Sequence, residues 1–520
     1  MHGLLIQPLF NAGLLRQSML HWEKTVLSDD DRNAVVWLQR TTLLPLVFDS
    51  EDSITDARSA FERAIRQIRS IALVQNPNLA ASSLPAATLP LCYHGENDLA
   101  LIRLVSLAFV ALSPILDGSS DSNLVLPERS PTILERPVAE VEDAPVVRFT
   151  VVSAHIRWHS VCRALCPTIE ELARLDGVHV VVAFAPASRL DEVSQRVASS
   201  ASDVVHLSSD LSEARAQLRA TAPCVLLYTD VGMNSWTTSL AHARLAPVQL
   251  ALWGHHGSSG LPSIDFYMIA DAFEPPESHE KHSEQLLRLQ DGMGVFLRKE
   301  DFMRRENEER QGAISRFDLG VRDDARLYLC AQSLPKFHPR FDYAMKRILD
   351  TDPSAIIIIP VDRAGQSGWL SSLKGRLLRT LGVENRCRVV FCDLLSREGM
   401  FDLLQMADVS IDTFPVGGGI TSLESLGNGI PTVTCGACQS VIRTTSTALE
   451  SMGISNLTAA DPDEFVALAV KAANDAQFHS EMRDLLLKRS PLLFERRDAL
   501  REWKDLLGRF CNGRHCGGPW

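Results

Sequence analysis

Apolar and polar positions follow two different patterns along the chain, and the change comes near residue 146. Before it, segments such as 54–71 place apolar residues three and four apart with charges between, the period of a helix with one buried face. Ser53 to Asp56 offers a capping signal at the start of that segment. The most apolar stretch, 99–116, carries Arg103 and two serines. Its uninterrupted runs fall short of the roughly 18 residues a membrane span needs, so it predicts a buried helix. No repeat of fixed period is present, which argues against a helical-repeat array. Residues 119–145 are rich in Ser, Pro and acidic side chains and read as a linker.

After residue 146, short runs of β-branched and apolar residues alternate with helical stretches. The first set comprises 146–153, 178–184, 224–228, 248–253 and 266–270; the second comprises 326–331, 355–361, 388–392, 409–412 and 432–435. Ile356 to Ile359 is apolar on both faces, as a strand covered by helices on both sides must be. The pattern predicts an α/β chain with two doubly wound domains, 146–300 and 301–510. An α-helical region, 1–118, would precede them and a short tail, 511–520, would follow. A ligand then belongs in the cleft between the domains, at the carboxyl ends of the strands.

Composition narrows the function classes. With 520 residues the chain is too long for one ordinary domain. The net charge of −12 argues against a nucleic-acid binder, which usually carries a basic face. The N-terminus lacks the features of a signal peptide. The eleven cysteines are scattered and odd in number, which predicts reduced thiols and a cytoplasmic or nucleocytoplasmic setting. Cys511, His515 and Cys516 offer too few ligands for a zinc site.

The segment with the clearest chemistry is ADVSIDTFPVGGGITSLESLGNGIPTVT, residues 407–434. A strand runs into Phe414-Pro415, then Gly417, Gly418 and Gly419, then a helix from about Ile420. Three glycines let backbone approach a ligand with no Cβ between. Thr421 and Ser422 lie in the first helical turn, where free N–H groups and the helix dipole favour an anion. That outlines a diphosphate seat, and Glu424 could accept hydrogen bonds from ribose hydroxyls. A tight turn followed by a solvated Glu424 is the bland alternative.

Here the sequence resembles the protein O-linked N-acetylglucosamine transferase family, which includes SPINDLY-type O-fucosyltransferases and bacterial protein N-glucosyltransferases. Matching segments follow one another in order: VVSAHIRWHSVCRAL at 151–165, RLAPVQLALWGHHGSSGLPSIDFYMIAD at 244–271, CAQSLPKFHP at 330–339, the glycine segment, and 443–453. The resemblance implies a GT-B fold and an inverting, metal-independent transfer of sugar from a nucleotide diphosphate donor. UDP-GlcNAc and UDP-glucose head the donors, with a protein Ser, Thr or Asn as acceptor. GDP-fucose, a non-protein acceptor and a non-catalytic nucleotide-sugar binder are the alternatives. It implies no cofactor, no metal, no nucleic-acid partner and no membrane span.

The resemblance assigns His159 to the sugar and acceptor site and Lys336 to the donor diphosphate. A fixed ammonium there stabilises charge growing on the leaving group. Asp230, just past a predicted strand, reads equally as a base or a loop cap. Ser333, Leu395 and Arg443 join the glycine segment on the donor side. The loop His255, His256, Gly257, Ser258, Ser259 and Gly260 would approach the sugar. Two positions depart from the family pattern: Ile420, usually polar, and His256, usually Pro.

Overall fold

The computed structural model describes residues 44–75, 81, 84–85, 88–118, 146–254, 257–274, 276–304, 314–362, 366–393, 395–440 and 443–511. The linker assigned to 119–145 and the residues beyond 511 lie outside them, as do residues 1–43.

Two helices open the described chain, α1 (Glu51–Gln75) and α2 (Leu99–Leu112). The cap of α1 lies one turn earlier than the sequence implies. The Ser50 hydroxyl accepts from the Ser53 N–H at 3.1 Å and the Ser53 hydroxyl accepts from the Ser50 N–H at 3.0 Å. That reciprocal pair satisfies two amide donors and starts the helix at Glu51. The apolar helix α2 is a core element: Ile102, Val105, Ala108, Phe109 and Leu112 are buried. Among the described residues, no helix is long and apolar enough to cross a membrane.

The first sheet alternates β1 (Val147–Ser153), α3 (Ser160–Leu172), β2 (Val178–Phe184), α4 (Glu192–Ser200), β3 (Asp203–His206), α5 (Leu211–Ala220), β4 (Val225–Tyr228), α6 (Ser235–Ala241), β5 (Val248–Leu252), β6 (Phe266–Ala270) and β7 (Gln285–Leu289). Its seven parallel strands are ordered β3-β2-β1-β4-β5-β6-β7. The second contains β8 (Arg326–Leu329), α7 (Pro339–Thr351), β9 (Ala355–Val361), α8 (Ser367–Leu381), β10 (Val389–Asp393), α9 (Arg397–Met406), β11 (Val409–Ile411), α10 (Ile420–Gly427) and β12 (Thr432–Val433). Its five parallel strands are ordered β10-β9-β8-β11-β12. Four helices follow: α11 (Thr444–Ser451), α12 (Pro462–Asn474), α13 (Ala476–Arg489) and α14 (Arg497–Cys511).

Ten strands fall where the apolar runs place them. Strands β3 and β7 do not show in the pattern, and both are sheet edges. The β3 sequence DVVH is largely exposed, and Gln285 and Arg288 interrupt the apolar run in β7. The exposed positions along these two strands leave too little burial to enforce a hydrophobic signature. The central strand β9 is buried at every position.

The last helix among the described residues departs most from the linear domain plan. Helix α14 leaves the second unit and packs on the first sheet. Trp503 is 1 % exposed, lies 6.0 Å from the Phe149 ring of β1, and donates its indole N–H to Gly294 O at 2.9 Å. Phe510 meets Phe266 of β6 at 5.3 Å. The amphipathic face of this helix therefore finds its partner across the molecule. The N-terminal helices touch both units as well. Arg215 of α5 donates to Ile115 O at 2.8 Å, while Arg340 pairs with Glu51 at 2.6 Å.

Candidate functional site

The glycine segment forms a built turn at the carboxyl end of β11. Asp412 follows the strand and is 1 % exposed. Its Oδ1 accepts from the Gly418 N–H at 2.6 Å, and its Oδ2 accepts from Thr434 Oγ1 and from the Gln439 side-chain amide, both at 2.9 Å. The three glycines have different reasons. A Cβ on Gly417 would lie 2.2 Å from Gln439 Nε2, and one on Gly418 would lie 2.0 Å from Ser422 Oγ. A Cβ on Gly419 would meet no protein atom within 4 Å. The first two glycines allow tight packing; the third leaves space at the start of α10, where unpaired N–H groups collect.

Lys336 reaches this turn from the short 3-10 helix Leu334–Lys336, which follows β8. Its ammonium donates to Gly417 O at 2.7 Å and to Gln332 Oε1 at 3.0 Å. Gln332 in turn donates to Thr421 Oγ1 at 3.0 Å. Burial lowers the Lys336 pKa from its ordinary value, and the nearby Asp412 carboxylate opposes that shift. The ammonium is thus a fixed charge in a partly dry setting, where an anion gains more from it than in water. Ser422 is buried and its hydroxyl accepts from Thr445 at 2.8 Å. Ile420 packs partly against the core.

A second cluster lies at the carboxyl ends of β1 and β4. Asp230 is fully buried, and its Oδ2 accepts from the Ala154 N–H at 2.8 Å. Burial raises its pKa to about 7, against the downward pull of that amide. His155 Nε2 lies 4.0 Å from the same oxygen. The His155 ring stacks on His159, with centroids 4.3 Å apart and planes 14° from parallel. Burial lowers both histidines to about 4, so both rings are neutral at neutral pH. His159 caps α3, and its Nδ1 accepts from the Val161 N–H at 3.2 Å. Asp230, His155 and His159 therefore form a line from a dry carboxyl to the half-buried ring. His155 is the residue a reading of the chain misses; its signal was position, two residues past the end of β1.

These two clusters sit on strand ends of two parallel sheets, and comparison with known proteins assigns that arrangement. Residues 305–499 match the profile of glycosyl transferase family 41. Over that stretch the chain is similar to this family. It is 29 % identical over 257 residues to a probable UDP-N-acetylglucosamine–peptide N-acetylglucosaminyltransferase SPINDLY of Petunia hybrida, covering 48 % of this chain and 26 % of that one. It is 29 % identical over 207 residues to the UDP-N-acetylglucosamine–peptide N-acetylglucosaminyltransferase of Caenorhabditis elegans, covering 39 % and 18 %. Each match thus spans about a quarter or less of the relative's length. A solved mutant of the Thermobaculum terrenum O-GlcNAc transferase superposes with a TM-score of 0.62 at 18 % identity, covering 97 % of this chain and 95 % of that one. The fold is therefore GT-B-like: two Rossmann-like units behind a helical N-terminal region.

Other residues of the chain are engaged in ways the sequence does not foretell. Glu424 Oε1 accepts from the Arg163 guanidinium of α3 at 2.6 Å, and both side chains are largely buried. The Arg163 guanidinium also lies over the rings of Trp158 and Phe302, at 4.8 and 5.1 Å. The carboxylate expected to be open to a ribose is thus half committed to an ion pair between the two units. Ser258 and Ser259 are held by Glu284, at 2.7 Å to Ser258 Oγ and 2.7 Å to Ser259 N. Gly260 has φ 68°, and a Cβ there would meet Ile102 Cγ2 at 2.5 Å. Its freedom serves contact with α2. Gly257 faces open space, and His255 and His256 lie outside the described residues.

Arg443 caps α11 and donates to Phe273 O, at 3.2 Å from its backbone and 3.3 Å from Nε. It lines a cavity of about 860 Å³ with Ala272, Gly436, Ala437, Ser446 and Glu450. Ser333 is exposed beside Lys336, and Leu395 packs partly against the second core. Among the described residues, no group of three His, Cys, Asp or Glu side chains could hold a metal ion. The cysteines overturn one expectation: Cys162 is bonded to Cys166 and Cys435 to Cys438. Each pair lies within one turn of chain, so the sulfurs meet without any long-range framework.

Proposed function

We propose that the chain transfers a sugar from a nucleoside diphosphate donor, UDP-GlcNAc or UDP-glucose, to a Ser, Thr or Asn side chain of a protein. The observation that carries this reading is the Lys336 ammonium at 2.7 Å from the carbonyl of a glycine turn whose next open position, Gly419, begins a helix. A diphosphate seated there meets one fixed cation and the amide groups at the start of α10. Those groups take the role a divalent cation plays elsewhere, stabilising the leaving diphosphate as the glycosidic bond breaks. The names borne by the relatives, UDP-N-acetylglucosamine–peptide N-acetylglucosaminyltransferases, support UDP-GlcNAc as donor and a protein as acceptor.

The acceptor side follows from the other cluster. An attacking hydroxyl or amide must lose a proton as the new bond forms on the face opposite the leaving group. His159 is neutral and half-buried, and because its Nδ1 accepts from the Val161 N–H its Nε2 carries the proton and donates a hydrogen bond that orients the acceptor; Asp230, near neutral in its pKa, takes the proton through His155 or a water. The same reading places this chemistry in the cytoplasm or nucleocytoplasm.

A hydrolysis screen across UDP- and GDP-sugars tests it, with Lys336→Ala as the control. Release of UDP by the native chain, reduced roughly 10²-fold in the variant, is the expected result. Equal release by both, or none from any donor, would overturn it. Mass spectrometry of co-expressed proteins identifies the acceptor.

A further inference from the structure

The chain past β12 reads Thr434-Cys435-Gly436-Ala437-Cys438-Gln439-Ser440. Cys435 and Cys438 are bonded around the 3-10 turn Gly436–Cys438. The residues after this small ring brace the glycine turn. The Gln439 amide donates to Asp412 Oδ2 at 2.9 Å and to Thr413 O at 3.2 Å, and Asp412 fixes the Gly418 N–H. The Ser440 N–H donates to Pro415 O at 2.9 Å. Gly436 and Ala437, inside the ring, line the 860 Å³ cavity shared with Arg443. A cysteine pair is thus one residue away from the strut that shapes the anion seat.

We propose that Cys435 and Cys438 are a reversible dithiol–disulfide couple that sets how tightly the glycine turn holds a nucleoside diphosphate. This rests on the donor reading above. The disulfide form fixes the conformation of 435–438 and so keeps Gln439 on Asp412. The dithiol form gives that turn back its freedom, and the strut is ordered only when ligand binds. Cys435 is 1 % exposed, whereas Cys438 is only half-buried, which sets the order of events. The Cys438 thiolate attacks a small disulfide of the glutathione type, forming a mixed disulfide and releasing one thiol. The Cys435 thiolate then attacks the Cys438 sulfur and releases the second. Two protein thiols lose two electrons and two protons, and the oxidant's disulfide becomes two thiols.

The test compares the full chain treated with oxidised glutathione or with dithiothreitol. Peptide mass reports the state of Cys435–Cys438, calorimetry reports UDP affinity, and hydrogen exchange reports the amides of Gly417 to Gly419 without nucleotide. Reduction should weaken UDP binding roughly three- to tenfold, from the ordering entropy restored to a short loop, and speed exchange at the turn. Cys438→Ser should show neither response, which separates this pair from Cys162–Cys166. Equal exchange and equal affinity in both states would overturn the proposal, and so would a response that survives in Cys438→Ser. Altered exchange with no UDP binding in either state would leave the coupling standing and sink the donor reading instead.

Discussion

Gly418 and Gly419 are adjacent and chemically identical, yet they face opposite constraints. A methyl on Gly418 collides with Ser422 Oγ and with Gln332 Nε2, at 2.0 and 2.5 Å. Gly418→Ala should therefore lower the melting temperature and disorder the seat together. Gly419→Ala adds a methyl that touches no protein atom. It should leave melting nearly unchanged and weaken UDP binding, because the methyl occupies ligand space; equal losses of stability in the two variants would refute the assignment of that space. Histidine gives a second residue-scale result. Burial holds His155, His159, His242 and His338 at about 4 in the folded chain, against 6.5 unfolded. Each depressed pKa contributes stability that is complete above 6.5 and lost as pH falls through about 4. Asp230 has the opposite sign: raised to about 7 from 3.8, its contribution is complete below 3.8 and fades as pH rises through 7. Urea midpoints between pH 7 and pH 4 should fall as the four histidines charge, and His242→Gln should make that fall shallower.

At the scale of elements, what the chain reveals depends on how local the cause is. The glycine run and the helix after it were legible because their cause lies within a few residues, whereas Lys336, 81 residues from Gly417, was reached only through the family resemblance. The central strands were legible because burial on both faces leaves no polar position to confuse the period. The brace of the seat was not: Asp412 meets Thr434 and Gln439 across 22 and 27 residues, with no periodicity to announce them. The same holds for Gly95, in a left-handed turn at φ 76°, where a Cβ would sit 2.5 Å from Pro415 Cγ. That contact seats the N-terminal helical region on the glycine turn. Gly95→Ala should consequently weaken UDP binding although it lies more than 300 residues from the turn in sequence. Unaltered affinity in a folded Gly95→Ala chain would show that this region packs on the seat without shaping it.

Across the whole molecule, three ties join units that the linear domain plan keeps apart. The N-terminal helices contact both units, Arg163 of α3 pairs with Glu424 of α10, and α14 returns to the first sheet. The ion pair bears on the proposed donor site. Glu424 is the carboxylate that the sequence offers to a ribose, and pairing with Arg163 keeps its buried charge compensated. Arg163→Met removes that partner and should reduce both stability and donor affinity, while Arg163→Lys should restore part of each. The return of α14 carries the sharper consequence. Trp503 is buried between Phe149 and the Gly294 carbonyl, although it belongs to the last described helix. Trp503→Ala should cost about 3–5 kcal/mol, the usual range for emptying an aromatic site in a core. The loss should fall on the sheet the helix covers rather than on the unit it leaves. Hydrogen exchange should therefore rise across β1, β4 and β6 and remain near native in β8 and β9. A loss centred on β8 and β9 would mean that α14 stabilises its own unit, and the first sheet would need no help from the far end of the chain.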